Sequence, residues 1–261
     1  MKKTLLDLIF ASEKRKNTLL LLQDGAKEME DLLISLDTTR QALLPQVRML
    51  ENYHLVNHHR DTYELTTIGK LVVGEMAPLL NTISIFDENI DYWGTRNFNF
   101  IPHHLFRRIN DLGKCRVVNP SFSKMYEVCH ELHESTKISE HVFTVTTSFY
   151  PNFAELSSDL ITNNVEAHII ISKDLYEKVR THKDINILKV MSDDLLHFYV
   201  YPKKMDLIAF VHNDYYVLLS PMTNTGEVDN KYILCSGPSA LNWAKELYEH
   251  YLKEAIPITE F

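Results

Sequence analysis

Two neighbouring side chains, Arg40 and Gln41, have the chemistry needed to recognise the edges of DNA bases. A guanidinium donates two parallel hydrogen bonds to guanine, and a carboxamide pairs in the same way with adenine. Thr38 and Thr39 come immediately before them, where hydroxyl groups and helix-end amides suit a phosphate. Arg48 lies farther along and fits a second phosphate contact. We therefore expect double-stranded DNA as a partner of this segment.

These side chains need a helix to position them, and residues 28–65 predict one within the order helix, turn, helix, hairpin. Leu43, Val47 and Leu50 fall at positions i, i+4 and i+7, which predicts one buried stripe along the second helix. The base-contacting residues lie off that stripe. In a winged helix the second helix lies in the major groove, with its early residues against the bases.

A two-stranded hairpin, or wing, is expected after the second helix. Strand-forming residues at 55–56 and 63–65 bracket a polar loop. His59 and Arg60 at its tip are placed to contact the DNA backbone or the minor groove. The full set of predicted DNA contacts is Thr38, Thr39, Arg40, Gln41, Gln46, Arg48, His59 and Arg60. The alternative is that this surface docks a protein of the transcription machinery.

The charge balance excludes a strongly basic protein that coats DNA. The 261 residues carry a formal net charge of −8, yet residues 1–80 hold ten Lys/Arg and eleven Asp/Glu, a balance of −1. The remaining residues therefore carry −7. Affinity for DNA has to come from a few placed cations and from a second copy of the chain, so we expect a homodimer.

Cysteine usage and hydropathy indicate a cytoplasmic protein without a membrane partner. Cys115, Cys129 and Cys235 are odd in number, widely spaced and without a CxxC motif, which predicts reduced thiols and no disulfide framework. The longest apolar runs are far shorter than the ~20 residues needed to span a bilayer. The N-terminus has a basic start and a brief apolar run that Asp7 interrupts, so we interpret it as a helix rather than a signal peptide.

The rhythm of the sequence changes at Cys115, where short β-branched runs begin to alternate with helical ones. Such alternation is typical of an α/β sandwich. We predict an α+β fold with three parts: a winged helix-turn-helix domain at 1–77, a helical connector at 78–114, and an α/β effector or sensor domain at 115–261.

The N-terminal motif resembles a known family. QALLPQVRMLENYHLV followed by YELTTIGKLV is similar to the archaeal winged-helix transcriptional regulators found in methanogens. The match includes Q-A-L-L-P-Q with Pro45, which is unusual inside a helix. It also includes an L-T-x-x-G element at Leu65, Thr66 and Gly69.

The resemblance continues through the C-terminal half. VEAHIIISKDLYEKV (165–179) and PSALNWAKELYEHYLKEAIPI (238–258) are similar to the effector domain of that family, whose scaffold resembles a degenerate phospholipase D. The resemblance implies a dimeric, one-component transcription factor whose C-terminal domain senses a small molecule or a partner.

The sequence argues against an enzyme. A phospholipase-D-like hydrolase, the less favoured alternative, uses a histidine followed two residues later by lysine, and none of the thirteen histidines has lysine there. HELHE at 130–134 lacks the second histidine of the HExxH zinc motif, and we interpret Cys129 and His133 as a half-buried thiol beside a surface imidazole. P-loop, GxGxxG and GxSxG motifs do not occur. We therefore expect no catalytic residues, no metal and no cofactor.

Aromatic residues of the C-terminal half suit the wall of a pocket, with polar groups at strand ends. The predicted ligand contacts for a small-molecule effector are Asn119, Ser121, Phe149, His197 and Tyr199. The alternative is that these aromatic residues are ordinary core.

Overall fold

The computed structural model describes residues 4–121, 129–182 and 190–259. The chain divides into two compact units, Met1–Ile83 and Ser84–Phe261. Each unit contains a hydrophobic core of its own. Unit 1 is mainly helical with a small sheet, whereas unit 2 is built on a large mixed sheet. The predicted α+β class is therefore confirmed.

Unit 1 has the element order of a winged helix. The helices and strands of this unit, with the helix that leads out of it, are α1 (Leu5–Phe10), α2 (Glu13–Leu21), β1 (Lys27–Glu28), α3 (Met29–Ser35), α4 (Arg40–Asn52), β2 (Val56–His59), β3 (Thr62–Leu65) and α5 (Thr67–Asp87). Its small sheet is antiparallel, with the strand order β1-β3-β2.

The amphipathic pattern of α4 fixes how this helix sits in unit 1. Leu43, Val47 and Leu50 are fully buried, which confirms the predicted stripe. They join Leu32 of α3 in the core of the unit. Pro45 lies inside α4 on its exposed side, where water can satisfy the carbonyl group that loses its helical donor.

The L-T-x-x-G element has a structural explanation at the start of α5. The hydroxyl of Thr66 accepts a hydrogen bond from the Gly69 backbone N–H at 2.9 Å and donates to the His54 carbonyl oxygen at 2.6 Å. A Cβ atom at position 69 would overlap the backbone carbonyl of Leu55. Glycine is therefore required for α5 to pass this close to the strand that begins the wing.

Unit 2 is built around one large mixed sheet. Its described helices and strands are α6 (Ile90–Gly94), α7 (His103–Phe106), β4 (Cys115–Val118), α8 (His130–Thr136), β5 (His141–Thr146), α9 (Phe153–Thr162), β6 (Glu166–Ser172), α10 (Lys173–His182), β7 (Leu196–Tyr201), β8 (Leu207–His212), β9 (Tyr216–Pro221), β10 (Tyr232–Ser236), α11 (Pro238–Leu252) and β11 (Ile256–Pro257). The strand order of the sheet is β11-β7-β6-β5-β8-β9-β10-β4.

The two faces of this sheet are covered by different helices. Strands β5, β6 and β7 are parallel, and the other described pairs are antiparallel. Helix α11 covers one face, where Trp243 and Phe210 are buried together. Helices α8, α9 and α10 cover the opposite face. Because side chains alternate along a strand, neighbouring residues serve opposite layers.

Much of the segment that we expected to be a connector belongs to the core of unit 2. The indole N–H of Trp243 donates to the carbonyl oxygen of Leu105 at 3.0 Å, and the hydroxyl of Tyr251 donates to that of Phe100 at 2.9 Å. The boundary between the units falls inside the predicted connector. Residues 78–114 therefore contribute to both units.

The prediction that all three cysteines are reduced is wrong for two of them, because the register of the sheet brings these two together. Cys115 of β4 and Cys235 of β10 lie directly opposite each other, with 4.3 Å between their Cα atoms, and form a disulfide. Cys129 is a free, buried thiol. The pairing joins positions 120 residues apart, which no local spacing could reveal.

Helix α5 is 21 residues long and exposes several large apolar side chains. Within residues 4–121, 129–182 and 190–259 it is the one helix long and apolar enough to cross a membrane. Length and composition alone are weak grounds for a membrane span. The expected absence of a membrane partner stays a prediction.

We predict that Gly69→Ala lowers the free energy of unfolding of unit 1 by about 2–3 kcal/mol, because the added methyl group forces backbone apart. Gly74→Ala is the matched control in the same helix, since no described atom lies within 4 Å of a Cβ atom there. It should stabilise the helix by about 0.5–1 kcal/mol. Urea unfolding measures both changes, and equal stabilities for the two variants would refute this role for Gly69.

Candidate nucleic-acid interface and effector pocket

The exposed side of α4 carries a continuous row of accessible positions, three of which are polar. Gln41, Pro45, Arg48 and Asn52 follow one another at helical spacing opposite the buried stripe, and all four are exposed. The 13 residues of α4 extend over about 20 Å at 1.5 Å per residue. A helix of this kind fits the major groove of B-DNA, which is about 12 Å wide.

The turn before α4 places its N-terminus in solvent. Asp37 adopts a left-handed conformation with φ of 44°, which reverses the chain sharply after α3. Thr39 is the extended N-cap residue of α4, and its side chain is exposed. Thr38 is half-buried and its backbone N–H donates to the Leu33 carbonyl oxygen at 3.1 Å. The exposed Thr39 is therefore better placed than Thr38 to meet a phosphate.

Arg40 is held by the wing. Its guanidinium bonds both carboxylate oxygens of Asp61, and its Nη1 lies 3.2 Å from Oδ2. Both side chains are half-exposed. The hydrogen bonds that Arg40 donates to Asp61, and the negative charge of that carboxylate, raise the pKa of Arg40. The Asp61 carbonyl oxygen also accepts from the Met29 backbone N–H at 3.0 Å, which ties the wing to the start of α3.

The tip of the wing is exposed, and the strand beneath it contacts the C-terminal part of α4. Arg60 occupies a left-handed turn with φ of 57°, and His59 precedes it. Beneath them, His58 pairs with Glu51 of α4 and stacks on Tyr63 with 5.5 Å between ring centroids. These contacts fix the hairpin while the side chains of His59 and Arg60 stay accessible.

Gln46 is placed differently from the other predicted DNA contacts. It is half-buried, and its carbonyl oxygen accepts hydrogen bonds from Arg15 Nη1 at 2.5 Å and from Ser12 Oγ at 3.4 Å. Arg15 is buried, and it also donates to the Leu8 carbonyl oxygen. Gln46 therefore joins α4 to α2. Its side chain lies next to the buried stripe of α4 and not on the opposite, exposed side.

Unit 2 contains an apolar pocket between its sheet and the pair α8 and α9. The cavity has a volume of about 140 Å³ and is lined by β5, β6, β8 and β9 as well as the two helices. Phe149, Phe153 and Leu160 contribute its apolar wall, and His133 stands at its edge, 3.2 Å from Asp159. A dry apolar cavity of similar size holds a molecule such as benzene.

The structure does not bring the predicted ligand residues together. Phe149 lines this pocket, whereas His197 and Tyr199 belong to the opposite face of the sheet, which α11 covers. Asn119 and Ser121 are exposed after β4. The residues that sequence reasoning missed, such as Thr144 and Val211, alternate with core positions along their strands. To find them, one would have to know which alternate residues of each strand point toward α9.

Comparisons with known proteins match both parts of the chain to one family. Residues 3–84 match the N-terminal domain of the methanogenesis regulatory protein FilR1, and residues 125–254 match its middle domain. The chain is 20% identical to FilR1 from Methanothrix harundinacea (strain 6Ac) over 259 residues. This alignment covers 97% of the chain and 58% of that protein, so the chain spans somewhat over half the length of this curated relative.

Two solved structures show weaker likeness. TrmBL2, an archaeal chromatin protein with a novel mode of DNA binding, is 14% identical and has a TM-score of 0.42, with 97% of both chains covered. Phosphatidylserine synthase from Haemophilus influenzae Rd KW20 is 13% identical and has a TM-score of 0.41, with 57% of this chain and 41% of that chain covered. TM-scores this low assign neither fold nor function.

We predict that Gln46→Ala lowers the free energy of unfolding by about 1–3 kcal/mol, because it removes an acceptor from the buried guanidinium of Arg15. Gln41→Ala removes the same amide from an exposed position of α4 and should change stability by less than about 0.5 kcal/mol. Thermal unfolding of the two variants measures the difference. Equal midpoints would place Gln46 among the solvated residues of α4.

Proposed function

The chain belongs to the family of archaeal transcriptional regulators that contains the methanogenesis regulatory protein FilR1, and from this membership we propose that it binds double-stranded DNA in a sequence-specific manner. Unit 1 inserts α4 into the major groove, and unit 2 senses a small-molecule effector. The exposed polar row of α4 opposite its buried stripe is the observation that carries this proposal.

Within this row, Gln41 and Arg48 have different tasks. Gln41 lies in the first turn of α4 and presents a free amide to a base edge, where a bidentate pair discriminates adenine from other bases. Arg48 lies two turns later and supports a phosphate contact, which positions the helix without reading sequence. Thr39 and the wing residues His59 and Arg60 add further backbone contacts on either side.

The Asp61 carboxylate regulates what Arg40 is able to bind. While Asp61 holds the guanidinium, a contact with DNA has to replace two charge-assisted hydrogen bonds. Guanine can replace both bonds, because its O6 and N7 atoms accept two parallel hydrogen bonds from one guanidinium. Asp61 also repels phosphates, so this pair disfavours non-specific binding more than binding at a chosen site. Specificity in this arrangement comes from a repulsive element as well as an attractive one.

A second copy of the chain completes the DNA-binding form. Helix α5 exposes Ile68, Leu71, Leu79 and Ile83 along one side of the helix. An exposed apolar stripe of this kind is typical of a protein–protein contact. Dimerisation through it covers the stripe and offers two copies of α4 to DNA, which compensates for the nearly neutral charge of residues 1–80.

The effector in this proposal is a small apolar molecule that binds the pocket beside α9. Its wall is mostly apolar, and the side chains that carry a polar group are His133, Thr136, Thr144, Thr146, Ser148, Tyr150 and Ser157. The effector must bind the active and inactive dimers with different affinity if it is to shift their populations. The family is regulatory, and we propose that this chain is not an enzyme, since it lacks the His-x-Lys sequence of the phospholipase D scaffold.

We predict that Gln41→Ala weakens binding to a DNA site selected from genomic fragments by about 1–3 kcal/mol and leaves binding to random DNA unchanged. Arg48→Ala should weaken both and reduce the slope of log K against log salt by about 1, because one phosphate contact is lost. Fluorescence anisotropy at several salt concentrations measures each effect.

Arg107→Ala is the matched control for that experiment, since it removes an exposed cation from unit 2 with the same change in net charge. It should leave both affinities within error of the wild type. If Arg107→Ala weakened binding as much as Arg48→Ala, bulk charge rather than the α4 row would bind DNA.

We predict that benzene raises the melting temperature of the full chain and that Ser157→Leu abolishes this increase, because leucine fills the cavity. Ser158→Leu is the matched control on the next position of α9. Each of the two serines donates to the carbonyl oxygen four residues earlier, but Ser158 is exposed. Loss of the benzene effect in both variants, or in neither, would place the ligand elsewhere.

A further inference from the structure

Three histidines surround a glutamate at the beginning of the parallel strands of unit 2. Glu166 and His168 alternate along β6 and so lie on one face of the sheet. His141 of β5 lies opposite Glu166, and His197 of β7 lies opposite His168. The register therefore gathers three imidazoles and one carboxylate from three adjacent strands. This face is not the one that holds the apolar pocket.

The distances within this cluster suit a shared metal ion. Glu166 Oε1 lies 2.8 Å from His197 Nε2 and 3.3 Å from His168 Nε2, and Glu166 Oε2 lies 3.5 Å from His141 Nε2. One ligand atom each from Glu166, His168 and His197 all lie within 4.8 Å of one another. Tetrahedral ligands at the usual zinc distances are separated by about 3.3–3.4 Å. Small side-chain rotations therefore suffice to enclose an ion.

The imidazoles are oriented by packing rather than free in solvent. The ring of Phe143 stacks on His168 with 5.1 Å between centroids and on His141 with 6.1 Å. His168 and His197 stack on each other at 4.7 Å. The strands hold the backbone of these residues in register, so the side chains lose little conformational freedom when an ion binds. Glu166, His141 and His197 are also partly exposed, which leaves an ion a path from solvent.

We propose that His168, His197 and Glu166, with His141 as a fourth ligand, bind a divalent transition-metal ion. Imidazole nitrogens with one carboxylate oxygen favour zinc, cobalt, nickel or copper, whereas magnesium and calcium prefer sites made of oxygen alone. A bound ion ties β5, β6 and β7 together at one end of the sheet. It gives unit 2 a metal-dependent input that is separate from the apolar pocket and independent of DNA binding.

Isothermal titration of the chelator-treated full chain with zinc chloride tests the proposal. The wild type should bind one ion per chain in a saturable step that excess magnesium does not displace. His168→Ala, His197→Ala and the conservative Glu166→Gln should each weaken this step by at least about tenfold. Cobalt(II) should give a visible absorption band that the same substitutions remove.

His103→Ala is the control, because it removes an exposed histidine of α7 outside the cluster. It should bind zinc as the wild type does. Circular dichroism and the benzene effect report whether each variant keeps a folded unit 2. Absence of a saturable step in the wild type would overturn the proposal, as would displacement of zinc by magnesium. Equal zinc binding by the folded ligand variants and His103→Ala would also overturn it, leaving the cluster as an ion-pair network.

Discussion

Burial of one side of α4 is the interaction on which the proposed DNA-binding surface depends. With Leu43, Val47 and Leu50 in the core, rotation of α4 about its axis is fixed, and only one set of side chains is left for a partner. The Arg15–Gln46 contact adds a polar constraint on the flank that faces α2. The recognition surface follows from how the core is packed, since a helix free to rotate would present no constant row to the groove.

Unit 2 separates two kinds of ligand chemistry by the alternation of its strands. Along β5 the even-numbered Thr144 lines an apolar pocket, while the odd-numbered Phe143 orients imidazoles on the other face. One sheet therefore carries the apolar pocket and the proposed metal cluster on opposite faces, without a shared side chain. This arrangement suits a regulatory domain, in which ligands act by changing the stability of one packed state relative to another.

Local patterns in the sequence predict local structure well and long-range pairing poorly. The buried stripe of α4 and the wing are confirmed because helical and strand periodicity depend on neighbouring residues. The role of Gln46 was missed because its partner lies 31 residues away, and the hold of Asp61 on Arg40 spans 21 residues. The Cys115–Cys235 pair and the two faces of the large sheet required the strand order, which a single sequence does not contain.

We propose that two copies of the chain read DNA through the exposed rows of their α4 helices. Footprinting on a fragment selected from genomic DNA is the most direct test of this proposal. We expect two protected half-sites about one helical turn apart, with guanine and adenine contacts in the major groove of each. A diffuse, salt-labile footprint without preferred sites would contradict the account, because a weakly charged unit that binds anywhere is not reading bases through α4.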